Sequence, residues 1–131
     1  MYTQQQRQTV LNYANWLAET KWDICSTITY RYDVKEKQNY KIMTNLERYL
    51  KTLDKPLKLF WVTEFTNYNY NTHNHLLHQG GITRDIEYYL RSQSLIGKHV
   101  KHEPYREEAS MYVSKYVCDT KTNWGIIENN S

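Results

Sequence analysis

The residues with the clearest chemical potential are an acid, a pair of histidines, and a tyrosine followed by a lysine. Glu64, His73 and His75 occur in that order, and Tyr112 and Lys115 lie further along the chain. Imidazoles and a carboxylate can hold a divalent cation, and a tyrosine can attack phosphorus when a cation polarises the phosphate. This order predicts metal-assisted cleavage of a phosphodiester by a tyrosine nucleophile.

Strand geometry supports the metal-ligand prediction. Residues two apart share one face of a β-strand, so His73, His75 and Gln79 project together if residues 72–79 form a strand. We expect Glu64, on the preceding strand of a hairpin, to supply a third ligand. Gln79 is a further candidate ligand on the same face.

The ligand types favour Mn²⁺ or Mg²⁺ as the cofactor because no thiolate joins the cluster, although imidazole also tolerates zinc. A His-x-His pair alone is also common at solvated surfaces, so the nearby acid and Gln79 are what favour a metal site here. The remaining histidines are expected to serve packing or phosphate contacts; they are His78, His99 and His102.

A helix predicted over residues 106–118 carries the nucleophile. Tyr112 and Tyr116 lie one turn apart on one face, and Lys115 follows Tyr112 at three residues. Lys115 would offset the negative charge that develops as the phenol attacks. The attack leaves a 5′ phosphate esterified to the tyrosine and a free 3′ hydroxyl. The alternative is an amphipathic helix that only buries its tyrosines against a sheet.

Size and composition narrow the function classes. A chain of 131 residues predicts one domain over residues 1–131, too small to add a helicase to a nuclease. A net charge of +3 cannot establish a nucleic-acid partner, but thirteen tyrosines suit stacking on single-stranded bases. The alternative is that tyrosine replaces other apolar residues in the core, because only two phenylalanines are present.

The expected location of the protein and the role of its cysteines follow from simple sequence features. No apolar stretch approaches the roughly 20 residues of a membrane span, and no secretory pattern opens the chain, so a cytoplasmic protein is expected. Cys25 and Cys118 lie far apart and are expected to be buried thiols without a chemical role.

Hydrophobic periodicity and turn residues predict eight elements. They are a helix over 3–20 capped by Thr3, a strand over 24–32, a helix over 36–53, strands over 59–66 and 72–79, a helix from a Thr83 cap to residue 95, a strand over 98–103 and a helix over 106–118. We also expect a break at Gly80-Gly81 and a frayed end at 128–131. This order predicts an α+β fold, a two-layer sandwich with a central antiparallel sheet and helices packed on one face.

Four features together resemble the HUH endonuclease superfamily, specifically the small replication initiator (Rep) proteins of rolling-circle plasmids and viruses. The resembling segments are Ser26-Thr-Ile-Thr-Tyr-Arg31 for the first-strand motif, His73-Asn-His75-Leu-Leu-His-Gln79 for the His-hydrophobic-His-x-x-x-Gln motif, and Tyr112-Val-Ser-Lys115 for the Tyr-x-x-Lys motif. Glu64 resembles the acid that many such proteins place one strand before the histidines. Asn74 departs from the pattern, because the family has a hydrophobic residue there.

The resemblance implies an antiparallel sheet, a divalent metal and origin-specific cleavage of single-stranded DNA in a hairpin or melted region. Such an enzyme nicks and rejoins the strand that starts rolling-circle-type replication. Tyr112 is the expected nucleophile, with Tyr116 as an auxiliary or alternate. Thr27, Thr29 and Arg31 share a face of the first predicted strand and are expected to contact the DNA, unless that face is simply solvated.

The expected partners follow from the length of the chain, which is too short to include a helicase domain. A separate helicase and the host polymerase would act with the chain, and a homodimer is left open. Two other functions fit the same residues. One is a single-tyrosine transposase of the same superfamily, and the other is a non-catalytic module whose tyrosines stack bases while its histidines contact phosphate.

Overall fold

A computed structural model of the chain describes residues 3–65, 72–96, 100–117 and 123–129. Within these ranges the helices are α1 (Gln4–Ala18), α2 (Glu36–Lys51), α3 (Thr83–Ser92) and α4 (Glu107–Val117). The strands are β1 (Ile24–Thr29), β2 (Leu57–Phe65), β3 (Thr72–Gln79), β4 (Lys101–Pro104) and β5 (Trp124–Asn129). None of these helices is both long enough and apolar enough to cross a membrane.

The strands form one antiparallel sheet in the order β4-β1-β3-β2-β5. The central pair, β2 and β3, is the predicted hairpin, with Glu64 in register with His73 and Val62 with His75. The α+β class and the central antiparallel sheet are therefore confirmed.

The helices lie on both faces of the sheet, which corrects the expected placement on one face. One apolar cluster joins α2 and α3 to the sheet, and a second joins α1 and α4 to the opposite face. Consecutive residues of β2 show the cause, because Leu59 and Trp61 belong to the first cluster while Phe60 and Val62 belong to the second. An apolar run without polar alternation is buried on both sides.

The last strand, β5, was not expected from the sequence. Glu128 and Asn129, predicted to be part of a frayed end, pair with Lys58 and Leu57 of β2. Ile127 of β5 is buried in the core cluster of α2 and α3. The hydrophobic pattern of this segment is too short to predict a strand. Pairing with β2 and the burial of one side chain stabilise it as β5.

Cap chemistry explains which helix ends were predicted correctly. Thr3 accepts a hydrogen bond from the Gln6 backbone N–H, and the Gln6 side chain accepts one from the Thr3 N–H, which completes a capping box. The Thr83 cap is wrong, since Ile82 occupies the N-cap without a side-chain bond and Thr83 is already helical. Helix α3 also ends at Ser92 rather than at residue 95.

Other boundaries differ by a few residues. β1 ends at Thr29 rather than at residue 32. The glycine break is confirmed, because Gly80 and Gly81 both adopt a positive φ. The expectations for Thr66, for residues 97–99 including His99, and for Cys118 lie outside the described residues.

A closed ring of hydrogen bonds is buried between β3 and α2. Asn74 donates to Tyr30 and Asn39 at 3.0 and 2.9 Å, Asn39 donates to Thr63 at 2.7 Å, and Thr63 donates to Asn74 at 2.7 Å. Tyr30 also donates to Asn39, at 2.8 Å. Asn74, which stands where the HUH pattern has a hydrophobic residue, is fully buried. It therefore packs into the core through polar partners rather than through apolar contact.

A second polar chain, buried at Ser26 and His78 and partly exposed at its other end, ties β3, β1 and β4 to α3. Ser26 Oγ lies 2.8 Å from His78 Nε2 and 2.6 Å from His102 Nδ1, and His102 Nε2 lies 3.2 Å from a Glu87 oxygen. His78 and His102 therefore serve packing, as expected. Burial, and then the neighbouring His102, lower the pKa of His78 to about 4.

The His78 pKa predicts acid-sensitive stability. The unfolded chain binds a proton at His78 near pH 6.5 whereas the folded chain does so only near pH 4, so stability is fully present above pH 6.5 and falls on acidification. Between pH 7 and pH 5 the free energy of unfolding should drop by about 2 kcal/mol through this group. Urea unfolding at both pH values measures the drop, and His78→Gln should show a smaller one. An equal drop in both proteins would contradict the assignment.

Candidate active site

The antiparallel register brings the sequence-predicted residues together on the sheet face that packs against α1 and α4, here called the histidine face. Thr29, His73 and Glu64 form one cross-strand row, and Thr27 and His75 belong to the next. Residues opposite one another in an antiparallel pair project to the same side. The five side chains therefore share one patch of the sheet.

The shortest polar contact of this patch joins Glu64 and His75. Glu64 Oε1 lies 2.9 Å from His75 Nε2, and both side chains are largely shielded from water. Burial lowers the pKa of His75, against the opposing effect of the Glu64 carboxylate. His75 is therefore a neutral imidazole at neutral pH, which is the form that binds a metal.

Two threonines hold the histidines from the neighbouring strand. Thr29 Oγ1 lies 2.9 Å from His73 Nδ1, and Thr27 Oγ1 lies 3.5 Å from His75 Nδ1. Thr27 and Thr29 thus lie on the histidine face, where Thr29 orients His73 and Thr27 makes a longer contact with His75. Arg31 is exposed two residues beyond the end of β1, because the strand is shorter than predicted.

Gln79 is not brought to the same place. It shares the histidine face but pairs with Lys58, four residues along β3 from His75. At about 3.3 Å per residue this puts the two Cα atoms about 13 Å apart. Gln79 is therefore too distant to bind one ion together with His75.

The remaining side chains of the patch fit a divalent cation in part. Two neighbouring ligand atoms of an octahedral ion, each at about 2.1 Å, are about 3 Å apart. The 2.9 Å between Glu64 and His75 matches that spacing. His73 pairs directly with Glu64 across the two strands, but its Nδ1 faces Thr29. Among the described residues, no three His, Cys, Asp or Glu side chains already converge on one point.

Both tyrosines of α4 lie over His75. The Tyr116 ring is nearly parallel to the imidazole at a centroid distance of 5.4 Å, and the Tyr112 ring meets it edge-on at 5.3 Å. Apolar packing of Val113 and Val117 against the sheet fixes this side of the helix. The amphipathic-helix interpretation is thus correct for part of α4, yet Tyr112 keeps 46% of its surface exposed.

A hydrogen bond distinguishes the two phenols. Tyr116 donates its O–H to the Tyr112 oxygen at 3.1 Å. Burial, the bond to Tyr112 and the nearby Glu64 carboxylate raise the pKa of Tyr116. Tyr116 therefore stays protonated and can stabilise negative charge on Tyr112.

Lys115 lies on the other side of Tyr112 from His75. It is exposed and, with Tyr112 and Glu108, lines a hollow between α4 and α1. One helical turn separates Lys115 from Tyr112 along α4.

An open hollow of about 720 Å³ lies beside His75 and Tyr112. Its rim includes Lys101 and Arg106, which were not singled out from the sequence, together with Glu103. Lys101 is paired with Glu103 at 3.1 Å. The signal that could have found these cations is their position in the chain, because Lys101 begins β4 and Arg106 directly precedes α4.

One family of known proteins matches the part of the chain that carries this geometry. The sequence model of the replication-associated protein ORF2/gene II protein family matches residues 23–121, more than half of the chain. The chain belongs to this family. Searches of curated proteins and of solved structures return no match.

Membership of the ORF2 family implies a role in the initiation of phage or plasmid replication. The matched range begins just before β1 and extends beyond α4, so it includes the histidine face and both tyrosines. The family model therefore covers the strands and the helix that carry the candidate active-site residues.

The electrostatics of this ORF2-family site yield a prediction that needs no substrate. Replacing Glu64 by Gln removes the carboxylate that opposes the effect of burial, so the His75 pKa should fall further. Proton NMR titration of the His75 imidazole measures the change. Glu103→Gln is the matched control and should leave His75 unchanged. A His75 pKa that rises or stays constant in Glu64→Gln would show that the two side chains do not interact in solution.

Proposed function

We propose that the chain is an HUH-type endonuclease that nicks and rejoins single-stranded DNA through a phosphotyrosine intermediate, initiating rolling-circle-type replication. The observation that carries this proposal is the contact of both tyrosines with His75, Tyr116 stacked and Tyr112 edge-on, while His75 itself contacts Glu64. A core packing role does not require an exposed phenol beside a neutral imidazole and a carboxylate. Metal-assisted cleavage of a phosphodiester by a tyrosine uses all three.

Tyr112 is the proposed nucleophile. Its oxygen attacks the phosphorus, a new P–O bond forms, and the bond from phosphorus to the 3′ oxygen breaks. The phenol proton passes to solvent and the leaving 3′ oxygen takes up one proton from solvent, so no net proton is gained or lost. Tyr116 donates a hydrogen bond to the Tyr112 oxygen and would stabilise its anionic form, and Lys115 lies one turn away.

Glu64 and His75 are the proposed ligands of a Mn²⁺ or Mg²⁺ ion, and His73 would join them after turning away from Thr29. When bound, such an ion would polarise the phosphate and offset its charge. Thr27 keeps its longer contact with His75 from β1. Gln79 is omitted from this ligand set because of its distance.

Single-stranded origin DNA, in a hairpin or melted region, is the proposed substrate. Lys101 and Arg106, which line the hollow, would contact the phosphates of the DNA. Thr29, the last residue of β1, and Arg31, two residues further on, are candidates for additional DNA contacts. The phosphotyrosine conserves the phosphodiester energy, so the free 3′ hydroxyl can later displace the tyrosine and restore the strand without ATP. Unwinding and extension fall to a separate helicase and the host polymerase.

The direct test is a covalent-adduct assay. Labelled single-stranded origin DNA and Mn²⁺ should yield a protein-DNA adduct that survives denaturation, and peptide mapping should locate the DNA on Tyr112. Tyr112→Phe should abolish the adduct, whereas Tyr116→Phe should slow its formation about tenfold or more because one charge-assisted hydrogen bond is lost. His75→Ala should remove cleavage, since the remaining pair, Glu64 and His73, lacks the ligand nearest the carboxylate and His73 Nδ1 faces Thr29.

The matched control is Tyr88→Phe, a change at an exposed tyrosine of α3 far from the histidine face, which should react like the wild type. Loss of the adduct in Tyr116→Phe together with its persistence in Tyr112→Phe would reverse the choice of nucleophile. Retarded DNA without any adduct, with or without metal, would instead support a non-catalytic binding module. Excision of hairpin ends with strand exchange would support a transposase.

A further inference from the structure

We propose that an exposed aromatic patch formed by Tyr13, Trp16 and Trp124 is a second subsite for single-stranded DNA, on which bases stack as the strand leaves the histidine face. The inference rests on the proposed function for its substrate. It assigns a role to three residues that the nicking chemistry does not use.

The patch is a triangle of rings at one edge of the sheet. All three pairs of ring centroids are 6.2 Å apart, and each pair meets edge-to-face. Phe60, fully buried, supports Trp16 and Trp124 from below. Large aromatic side chains are ordinarily covered, but Trp16 and Trp124 remain 39% and 37% exposed.

The patch lies on the same side of the sheet as the candidate active site. Trp124 pairs with Val62, and Val62 pairs with His75, so these three residues form one row across the sheet. Two strand spacings separate the Cα atoms of Trp124 and His75 by about 10 Å. Tyr13 also packs against the apolar cluster that includes Tyr116. Val62 is fully buried against α4, so a strand held at Tyr112 would reach the patch over the outer surface of the helices rather than along the sheet.

The surface beside the patch suits a nucleic acid. Helix α1 has no Asp or Glu, carries one cation, Arg7, and has six Gln or Asn residues. Thr9 and Asn12 line a hollow of about 440 Å³ together with the three aromatic rings. Amides and hydroxyls can bind phosphates and base edges, and the absence of carboxylates on this helix avoids repulsion of the backbone.

The four tryptophans make the test direct. Trp16 and Trp124 are exposed, whereas Trp22 and Trp61 are buried, so a base that stacks on the patch should quench the exposed pair. Titration of the protein with an oligothymidylate, in chelator so that no cleavage occurs, should reduce tryptophan emission. Trp16→Ala should weaken binding at least about fivefold, because stacking on an aromatic ring is lost.

Two controls separate stacking from folding. Trp16→Phe keeps a ring and should bind within about twofold of the wild type. Tyr88→Ala removes an exposed aromatic from α3, on the opposite face, and should leave affinity unchanged. Affinity retained in Trp16→Ala, or emission unaffected by the oligonucleotide, would overturn the subsite. A dimer that dissociates in Trp16→Ala would show that a second copy covers the patch and would overturn it as well.

The adduct assay keeps the two proposals distinguishable. An adduct without quenching overturns the subsite and leaves the nickase proposal standing. Quenching without an adduct overturns the nickase proposal and supports the subsite as part of a binding module.

Discussion

The contact between the tyrosines of α4 and His75 is the constraint on which the candidate site depends. Strand register alone places Glu64, His73 and His75 side by side, but it provides no nucleophile. Helix α4 packs on the same face through apolar side chains. This packing puts the rings of Tyr112 and Tyr116 at centroid distances of 5.3 and 5.4 Å from the His75 imidazole. Movement of the helix by one turn would separate the acid and imidazole from the tyrosines while leaving both elements folded.

The opposite face of β3 stabilises this arrangement. Side chains alternate along a strand, so a slip of one residue would replace His75 by Asn74 on the histidine face. The buried ring of Asn74, Asn39 and Thr63 opposes such a slip, because each polar group would lose its partner in an apolar environment. Polar residues in the core thereby fix the position of the histidines, at a site where hydrophobic packing alone would tolerate a shift.

Much of the fold followed from local pattern, and the remainder depended on tertiary contact. The hairpin, the capped α1 and the glycine break have signals within a few residues of sequence, and they were predicted correctly. β5 was missed because its order comes from pairing with β2. The continuous apolar run of β2 is typical of a strand covered on both faces, a signal that the prediction of helices on one face did not use. Helix order along the chain does not specify which helix lies on which face.

The site shows the same division between local and long-range information. Period-two alternation correctly placed Glu64, His73 and His75 on one face, while it could not measure the distance that removes Gln79. Sequence spacing also could not reveal that Tyr116 donates to Tyr112, or that Trp124 lies in one row with His75. Those relations arise from the packing of α4 and from the strand that the sequence did not predict.

The most direct measurement is anomalous diffraction from crystals soaked in Mn²⁺. We expect one peak about 2.1 Å from both the Glu64 carboxylate and the His75 imidazole, beneath the exposed Tyr112 phenol. A Mn²⁺ peak elsewhere on the chain, with the Glu64 and His75 atoms still bonded to each other, would contradict a metal-assisted site at these residues.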